Sequence, residues 1–236
     1  MSSHHRIIDF RSPKRYNTIY QCYHDKSKIP QKVYNNISKF APNYKHQIYD
    51  DDDCRKFLTR YYGEEYVRIF NYLLINGTPA HASDFWRYCI LYKYGGVYLD
   101  IKIELIEDMD KTIKRLGDAT FSTILSINQN TCMQGVIMTK PEHPILKMCI
   151  DYMLSSYTKA KDDYFLYTKN MYNNIVKYTK QNKLHPGRNS DVFLFKEDCS
   201  DKKNACYDGL DRYGFCCFVT YNGERVIKTR YADYPW

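Results

Sequence analysis

The doubled glycine at positions 95–96 constrains this chain more than any other feature. It stands between "TPAHASDFWRYCILYKY" (78–94) and "VYLDIKIEL" (97–105). A backbone that turns sharply or lies close against a neighbour takes glycine, because other residues resist positive φ. Thr78 followed by Pro79 makes a helix start, a capping hydroxyl and then a first-turn proline. Gly95 marks the helix's C-terminal stop. The spacing therefore predicts a helix to Tyr94 that runs straight into a strand. In that strand Val97, Leu99, Ile101 and Ile103 alternate with Tyr98, Asp100, Lys102 and Glu104, so one face is apolar and the other carries an aromatic, two acids and a base. Asp84 and Arg87, three apart, share one helix face and can converge on the strand's C-terminal end, where ligands dock in open α/β sheets. Spacing alone favours a plainer reading, a solvated strand face beside a surface ion pair that contributes little.

The rest of the chain alternates strands with helices. "YNTIYQCYHD" (16–25) reads as a first strand, and "IPQKVYNNISKF" (29–40) as a helix with Ile29, Val33, Ile37 and Phe40 on one face. "PNYKHQIYDD" reads as turn, strand and acidic stop, and 52–74 as a long helical region that Gly63 interrupts. Two apolar runs in 119–139 flank a polar turn, helices follow over 143–157 and 164–180, and the tail holds the strands "SDVFLFKE", "FCCFVTY" and "RVIKTRY". This pattern predicts an α/β fold in one domain spanning 1–236, with a central mixed sheet flanked by helices.

Composition excludes several classes. At 44% hydrophobic and 26% charged residues, the chain is neither disordered nor membrane-embedded. No apolar run approaches the roughly 20 residues that span a bilayer, and the basic N-terminus lacks a signal-peptide core, so a cytoplasmic (or host-cytoplasmic) protein without a transmembrane segment is expected. The net charge of +8 is scattered rather than gathered into Arg-rich runs, which argues against nucleic acid as the partner. Nine cysteines without a secretion signal are expected to be thiols. Cys199, Cys206, Cys216 and Cys217 cluster after His185, but their spacing is not that of a zinc knuckle.

The motif at the double glycine resembles the DXD-containing sugar-binding family of glycosyltransferases (family 32), which includes α-1,6-mannosyltransferases and is distantly related to glucosylating bacterial toxins. The family pattern S-D-x-x-R…L…G-G-x-Y-x-D-x-D stands here as Ser83-Asp84, Arg87, Leu91, Gly95-Gly96, Tyr98, Asp100 and Lys102. Ile19-Tyr20-Gln21 with Ile29-Pro30 is similar to the family's opening, and "APNYKHQIYDD" and "QGVIMTKPEHPIL" are similar to later segments. The likeness is dense over 19–150 and thin beyond. It implies a GT-A-type nucleotide-sugar-binding fold, with a donor-nucleotide half over 1–118 and an acceptor-side half with a tail over 119–236. The implied reaction moves a hexose or other sugar from a UDP- or GDP-sugar to a glycan or other hydroxyl acceptor, with retention of configuration. Carried over by position, Asp84 and Arg87 hold the donor sugar, Tyr98 lines the site near the leaving phosphate, and Asp100 contacts the donor and organises a metal. Tyr20 and Gln21 fall where the first strand meets the base, and Gly95 and Gly96 allow close backbone approach to the donor.

One residue departs from the pattern. Lys102 occupies the place of the second acid, and an ammonium cannot ligate the Mn²⁺ or Mg²⁺ that the family implies. Three readings follow. Glu104 replaces the missing acid beside Asp100; Lys102 itself neutralises the diphosphate; or Asp100 binds metal with water and phosphate oxygens alone. Arg225, Lys228 and Arg230 in the tail are further counter-charges. The departure also leaves open a relative that binds sugar nucleotide without turnover. No nucleophile for a double displacement is legible: Asp191, Glu197 and Asp198 read as surface acids, and a front-face mechanism is the expectation.

Overall fold

The computed structural model describes residues 16–76, 79–128, 130–182, 190–200 and 215–231; Thr78, His185 and Cys206 of the sequence reading lie outside them. The chain opens with two parallel strands, β1 (Thr18–Cys22) and β2 (Lys45–Tyr49), joined through α1 (Gln31–Phe40). Asp50 then caps α2 (Asp51–Tyr62) in a capping box with Asp53. The acidic run ends the strand at Tyr49, as expected, and also starts the helix, where carboxylates sit favourably against the N-terminal dipole. Gly63 separates α2 from α3 (Glu64–Asn76), and α4 (Pro79–Tyr94) leads into β3 (Gly96–Leu99).

Here the structure corrects the expected eight-residue strand. β3 ends at Leu99, residues 101–102 form a turn closed by Ile103 N–H donating to the Asp100 carbonyl at 2.9 Å, and β4 is only Glu104–Leu105. The side chains continue to alternate while the backbone does not, so Asp100, Lys102 and Glu104 do not form one row.

α5 (Met109–Arg115) follows, capped by Asp108 and not foreseen from the sequence. Then come β5 (Phe121–Leu125), β6 (Cys132–Thr139), α6 (Pro144–Ser156), α7 (Leu166–Gln181), β7 (Val192–Asp198), β8 (Phe215–Tyr221) and β9 (Glu224–Tyr231). Among the described residues the nine strands form one mixed sheet, in the order β2-β1-β3-β6-β5-β7-β8-β9-β4. β3 and β4 stand six places apart in that order. A flat sheet would separate them by about 29 Å at ~4.8 Å per strand, yet the five residues from Leu99 to Glu104 reach at most about 18 Å. The sheet must curl, bringing β9 back beside the end of β3.

Two cores cover its faces. Tyr20, Tyr98, Phe121 and Ile137 pack with α2, α3, α4, α6 and α7, and Ile19, Val97, Leu99, Val136 and Met138 pack with α1 and α5. Ten residues of α4 are buried, Asp84 and Arg87 among them, so the surface ion pair favoured on spacing is an interior one.

The tail corrects the expectation of free thiols. Asp198 pairs with Phe218 across β7 and β8, which sets Cys199 opposite Cys217, and these two form a disulfide with Cα atoms 4.4 Å apart. Cys216 is also disulfide-bonded. Cys22, Cys54, Cys89, Cys132 and Cys149 are free, as expected.

Gly95 is the tightest point of the frame. Its N–H closes α4 on the Leu91 carbonyl at 2.8 Å, its φ is +63°, and a Cβ there would lie 2.6 Å from Pro141 N and 2.8 Å from Thr139 O. Both obstacles are backbone. Gly95→Ala is expected to cost about 2–4 kcal/mol through strain and overpacking, read as a lower urea midpoint at unchanged m value.

Candidate functional site

The site grows from α4 at the point where β3 ends. Arg87 is 4% exposed. Its Nη1 donates to the Gln134 carbonyl at 2.8 Å, its Nη2 to Ser83 Oγ at 2.8 Å and its Nε to the Ser83 carbonyl at 3.3 Å. The same Nη1 lies 3.1 Å from Asp84 Oδ1, and the same Nη2 lies 3.0 Å from Asp100 Oδ1. Its plane covers the Tyr98 ring at 4.3 Å. One guanidinium therefore ties the helix acid, the post-strand acid and β6 together, as a planar multi-donor fork can. Burial works against the Arg87 charge, but Asp100, Tyr98 and Asp84 outweigh it and raise its pKa well above the usual value. Burial moves the Asp84 carboxyl upward, with Arg87 opposing.

Asp100 is held from several sides. Tyr98 OH donates to its Oδ1 at 3.0 Å, its N–H donates to the Gly135 carbonyl at 2.7 Å, and Gln21 Nε2 donates to its carbonyl at 3.3 Å. His46 Nε2 lies 2.7 Å from Gln21 Oε1, and since that oxygen only accepts, Nε2 carries the proton. A Cβ on Gly135 would come within 2.9 Å of Asp100 Oδ2, so the glycine leaves that oxygen its room.

Three cavities meet here. The first, about 170 Å³, is lined by Asp84, Arg87, Asp100, Gln134, His81 and Arg230, with the exposed rings of Tyr164 and Phe165 also in its wall. The second, about 880 Å³, lies between the end of β1 and the helices α2–α4, against Cys22, Tyr23, His24, Asp51 and Arg55. The third, about 290 Å³, lies beside α1. Lys102 lines all three. In the first, both amide atoms of Gln134 and Nδ1 of His81 are buried without a hydrogen-bond partner. Buried polar groups are normally satisfied, so these atoms suit a polar ligand.

Of the residues singled out by sequence, Asp84, Arg87, Asp100 and Lys102 come together on the first cavity, and Arg87, Asp100 and Lys102 also line the second. Tyr98, Gln21 and Tyr20 line none of these three cavities. Tyr98 and Gln21 are fully buried and position Asp100, whereas Tyr20 packs against Gly96. Gly95 packs on Thr139 and Pro141 instead of lining the site. Glu104 turns away from Asp100 to Arg230 (3.1 Å) and Lys228 (3.4 Å). Arg225 lies over the Phe218 ring at 4.0 Å. Glu197, expected on the surface, is 8% exposed and accepts from Ser126 and Thr229, and Asp191 accepts from Thr120 and Tyr178. Sequence reasoning missed Gln134, Gly135 and His81, the Gln134-Gly135 pair being visible only as part of a family-like segment, whereas Arg230, expected as a tail counter-charge, lines the first cavity.

A divalent cation at the motif would need several hard oxygens. Asp100 has one oxygen engaged by Arg87 and Tyr98, Lys102 supplies none, and the Glu104 oxygens face Arg230 and Lys228. This donor set does not fit a two-carboxylate metal site. Among the described residues the one group of three potential ligands within reach of an ion is Glu197, Cys199 and Cys217, and its two sulfurs are joined to each other.

Comparison with known proteins accords with this architecture. Residues 27–117 match the model of the glycosyltransferase sugar-binding region containing the DXD motif. An uncharacterized glycosyltransferase of Acanthamoeba polyphaga mimivirus is 28% identical over 170 residues, covering 66% of this chain and 65% of that protein, just under two thirds of the relative's length. The structure of the PaToxG glycosyltransferase superposes with a TM-score of 0.53 at 15% identity, covering 70% of this chain and 72% of that one, which shows a shared fold.

Arg87→Met is expected to destabilise the fold by about 3–5 kcal/mol, because it strands two carboxylates. Adding Asp84→Asn should recover part of that loss in urea unfolding, since it removes one of the stranded charges.

Proposed function

We propose, from the premise that the chain carries a glycosyltransferase sugar-binding region, that it transfers a sugar from a nucleoside-diphosphate donor to a hydroxyl acceptor with retention of configuration. The observation that carries this reading is the first cavity, where the unpartnered Gln134 amide and His81 Nδ1 stand beside Asp84 and Asp100. Closely set acceptors and donors of this kind suit the vicinal hydroxyls of a pyranose. The 880 Å³ cavity has room for the nucleotide, and Lys102, common to both cavities, would sit at the diphosphate between them.

In this mechanism Asp84, Gln134 and His81 hold the sugar. Arg87 positions rather than binds, because both of its Nη nitrogens are already shared between a hydrogen bond and a carboxylate. The bond from the anomeric carbon to the phosphate oxygen breaks, and the acceptor oxygen bonds to that carbon on the same face. The acceptor proton passes to the departing phosphate oxygen, leaving nucleoside diphosphate and glycoside. Lys102 supplies the cationic stabilisation of the leaving group that such a step requires. The donor half (1–118) and acceptor half (119–236) divide the labour, although Gln134 carries the second half into the sugar cavity. Because a lysine replaces the second acid, binding without turnover is the second reading.

The test is a panel of UDP- and GDP-sugars assayed for hydrolysis and transfer, each with Mn²⁺ and with EDTA. Turnover within two-fold under both conditions is expected, with at least a 100-fold loss in Asp100→Ala (about 2.7 kcal/mol), assayed well below a melting temperature that the loss of Arg87's partner lowers. Donor binding without any turnover would establish the second reading instead. The acid limb of kcat/KM is expected above the ordinary aspartate value of about 3.9, because burial raises Asp84 and its protonated form loses acceptor capacity. Asp84→Asn should abolish that limb.

A further inference from the structure

Two aromatic rings in the wall of the first cavity have no part in the transfer mechanism. Tyr164 and Phe165 line that cavity, yet they are 58% and 43% exposed. Their centroids lie 5.4 Å apart with the planes at 90°, an edge-to-face pair. Neither ring lines the second cavity. A nucleotide held there would pass its sugar into the first cavity beside Arg87, Asp100 and Lys102, which line both. The rings stand apart from that shared wall, on the side left open to a second substrate.

The fold does not require the two rings. Asp163 Oδ1 accepts from the Phe165 N–H at 2.9 Å, and Thr168 Oγ1 donates to the Phe165 carbonyl at 2.9 Å, so polar groups alone fix the entry into α7. His81 Nε2 lies 3.0 Å from the Tyr164 carbonyl and, since a carbonyl only accepts, donates to it. The imidazole whose buried Nδ1 has no partner therefore fastens these rings to the sugar cavity. Among the described residues the other exposed large aromatics, Tyr61 and Tyr94, pack on each other at 5.7 Å. Tyr94 follows His81 by thirteen positions on α4, about 20 Å at ~1.5 Å per residue.

Exposed apolar surface rimmed by polar groups marks a binding site. A ring face carries the negative part of the aromatic quadrupole and attracts the C–H groups on one face of a pyranose. The unpartnered Gln134 amide and His81 Nδ1 in the same wall suit a polyhydroxylated ligand. Two half-exposed rings present about 200 Å², well below the roughly 800 Å² per partner of a standard protein interface. We propose that Tyr164 and Phe165 are the acceptor platform, stacking on the C–H face of a saccharide whose hydroxyl receives the donor sugar. Saccharide binding stands on the geometry, whereas the word acceptor rests on the transferase reading above.

Saturation-transfer NMR with the methyl pyranosides of glucose, galactose and mannose tests the platform without turnover. Wild type is expected to saturate the ring C–H protons of one pyranose face. Phe165→Ala and Tyr164→Ala should each weaken binding at least ten-fold, and Phe165→Tyr should hold it within three-fold. Thermal melts of all three variants are expected to overlay wild type, since exposed side chains contribute little to stability. With a nucleoside-diphosphate sugar as donor, Phe165→Ala should raise the acceptor KM at least ten-fold more than the donor KM. Wild type that binds no pyranoside, or binding that survives both alanine variants, would overturn the platform. Equal rises in the two KM values would place the rings on the donor sugar and overturn the acceptor assignment. A dimer in sedimentation that Phe165→Ala dissolves would give the rings to a second copy of the chain instead. Absence of donor turnover in wild type would defeat the transferase reading separately, leaving the NMR to decide the saccharide site.

Discussion

A single buried guanidinium organises the centre of this protein. Arg87 meets Asp84 three residues back on its own helix, Asp100 beyond the end of β3, and the Gln134 carbonyl on β6. Buried charges are costly unless paired and hydrogen-bonded, and here the pairing does structural and chemical work together. It fixes the helix against two strands and sets two carboxylates at the edge of a cavity. The Tyr98 ring beneath the guanidinium, with its hydroxyl on Asp100, completes the support.

The second organising constraint is the curl of the sheet. β4 pairs antiparallel with β9, Glu104 opposite Lys228, only a few residues after β3 has ended. This return brings Arg230 from near the far end of the sequence to the 101–104 turn. The wall around Lys102 is therefore assembled from α1, the turn and β9, three pieces that no local pattern connects.

Lys102 changes the electrostatics of the site more than its fold. An acid at this position would add negative charge beside Asp100 and invite a cation to offset it, whereas a lysine places a positive charge there outright. The ion pairs of Glu104 with Arg230 and Lys228 remove the nearest substitute carboxylate from that role. On the reading proposed above, a diphosphate entering beside Lys102 would meet its counter-charge in the chain itself, which is the physical basis for expecting turnover without added metal.

Much of this was legible in the amino-acid sequence. Alternation marked β1, short strand-like runs marked β2 and the three tail strands, two apolar runs around a polar turn marked the segment of β5 and β6, helical spacing marked α1, α6 and α7, and Gly95 marked the end of α4, because each signal lies within adjacent residues. The meeting of Asp84, Arg87 and Asp100 was also readable, since all three belong to one compact motif. Other features were hidden. The break at Asp100 escaped because Ile101 and Ile103 keep the apolar rhythm while the backbone turns, and α5 escaped because seven residues make too short a period to stand out. The Gln134 amide, the cavity that Arg230 joins and the Cys199–Cys217 bond depend on register between strands far apart in the chain. Local periodicity is set by neighbouring side chains, so the sequence by itself determined the elements and the acid–arginine motif. Which distant residues share a cavity depends on how the sheet curls and pairs, and that only the tertiary structure decided.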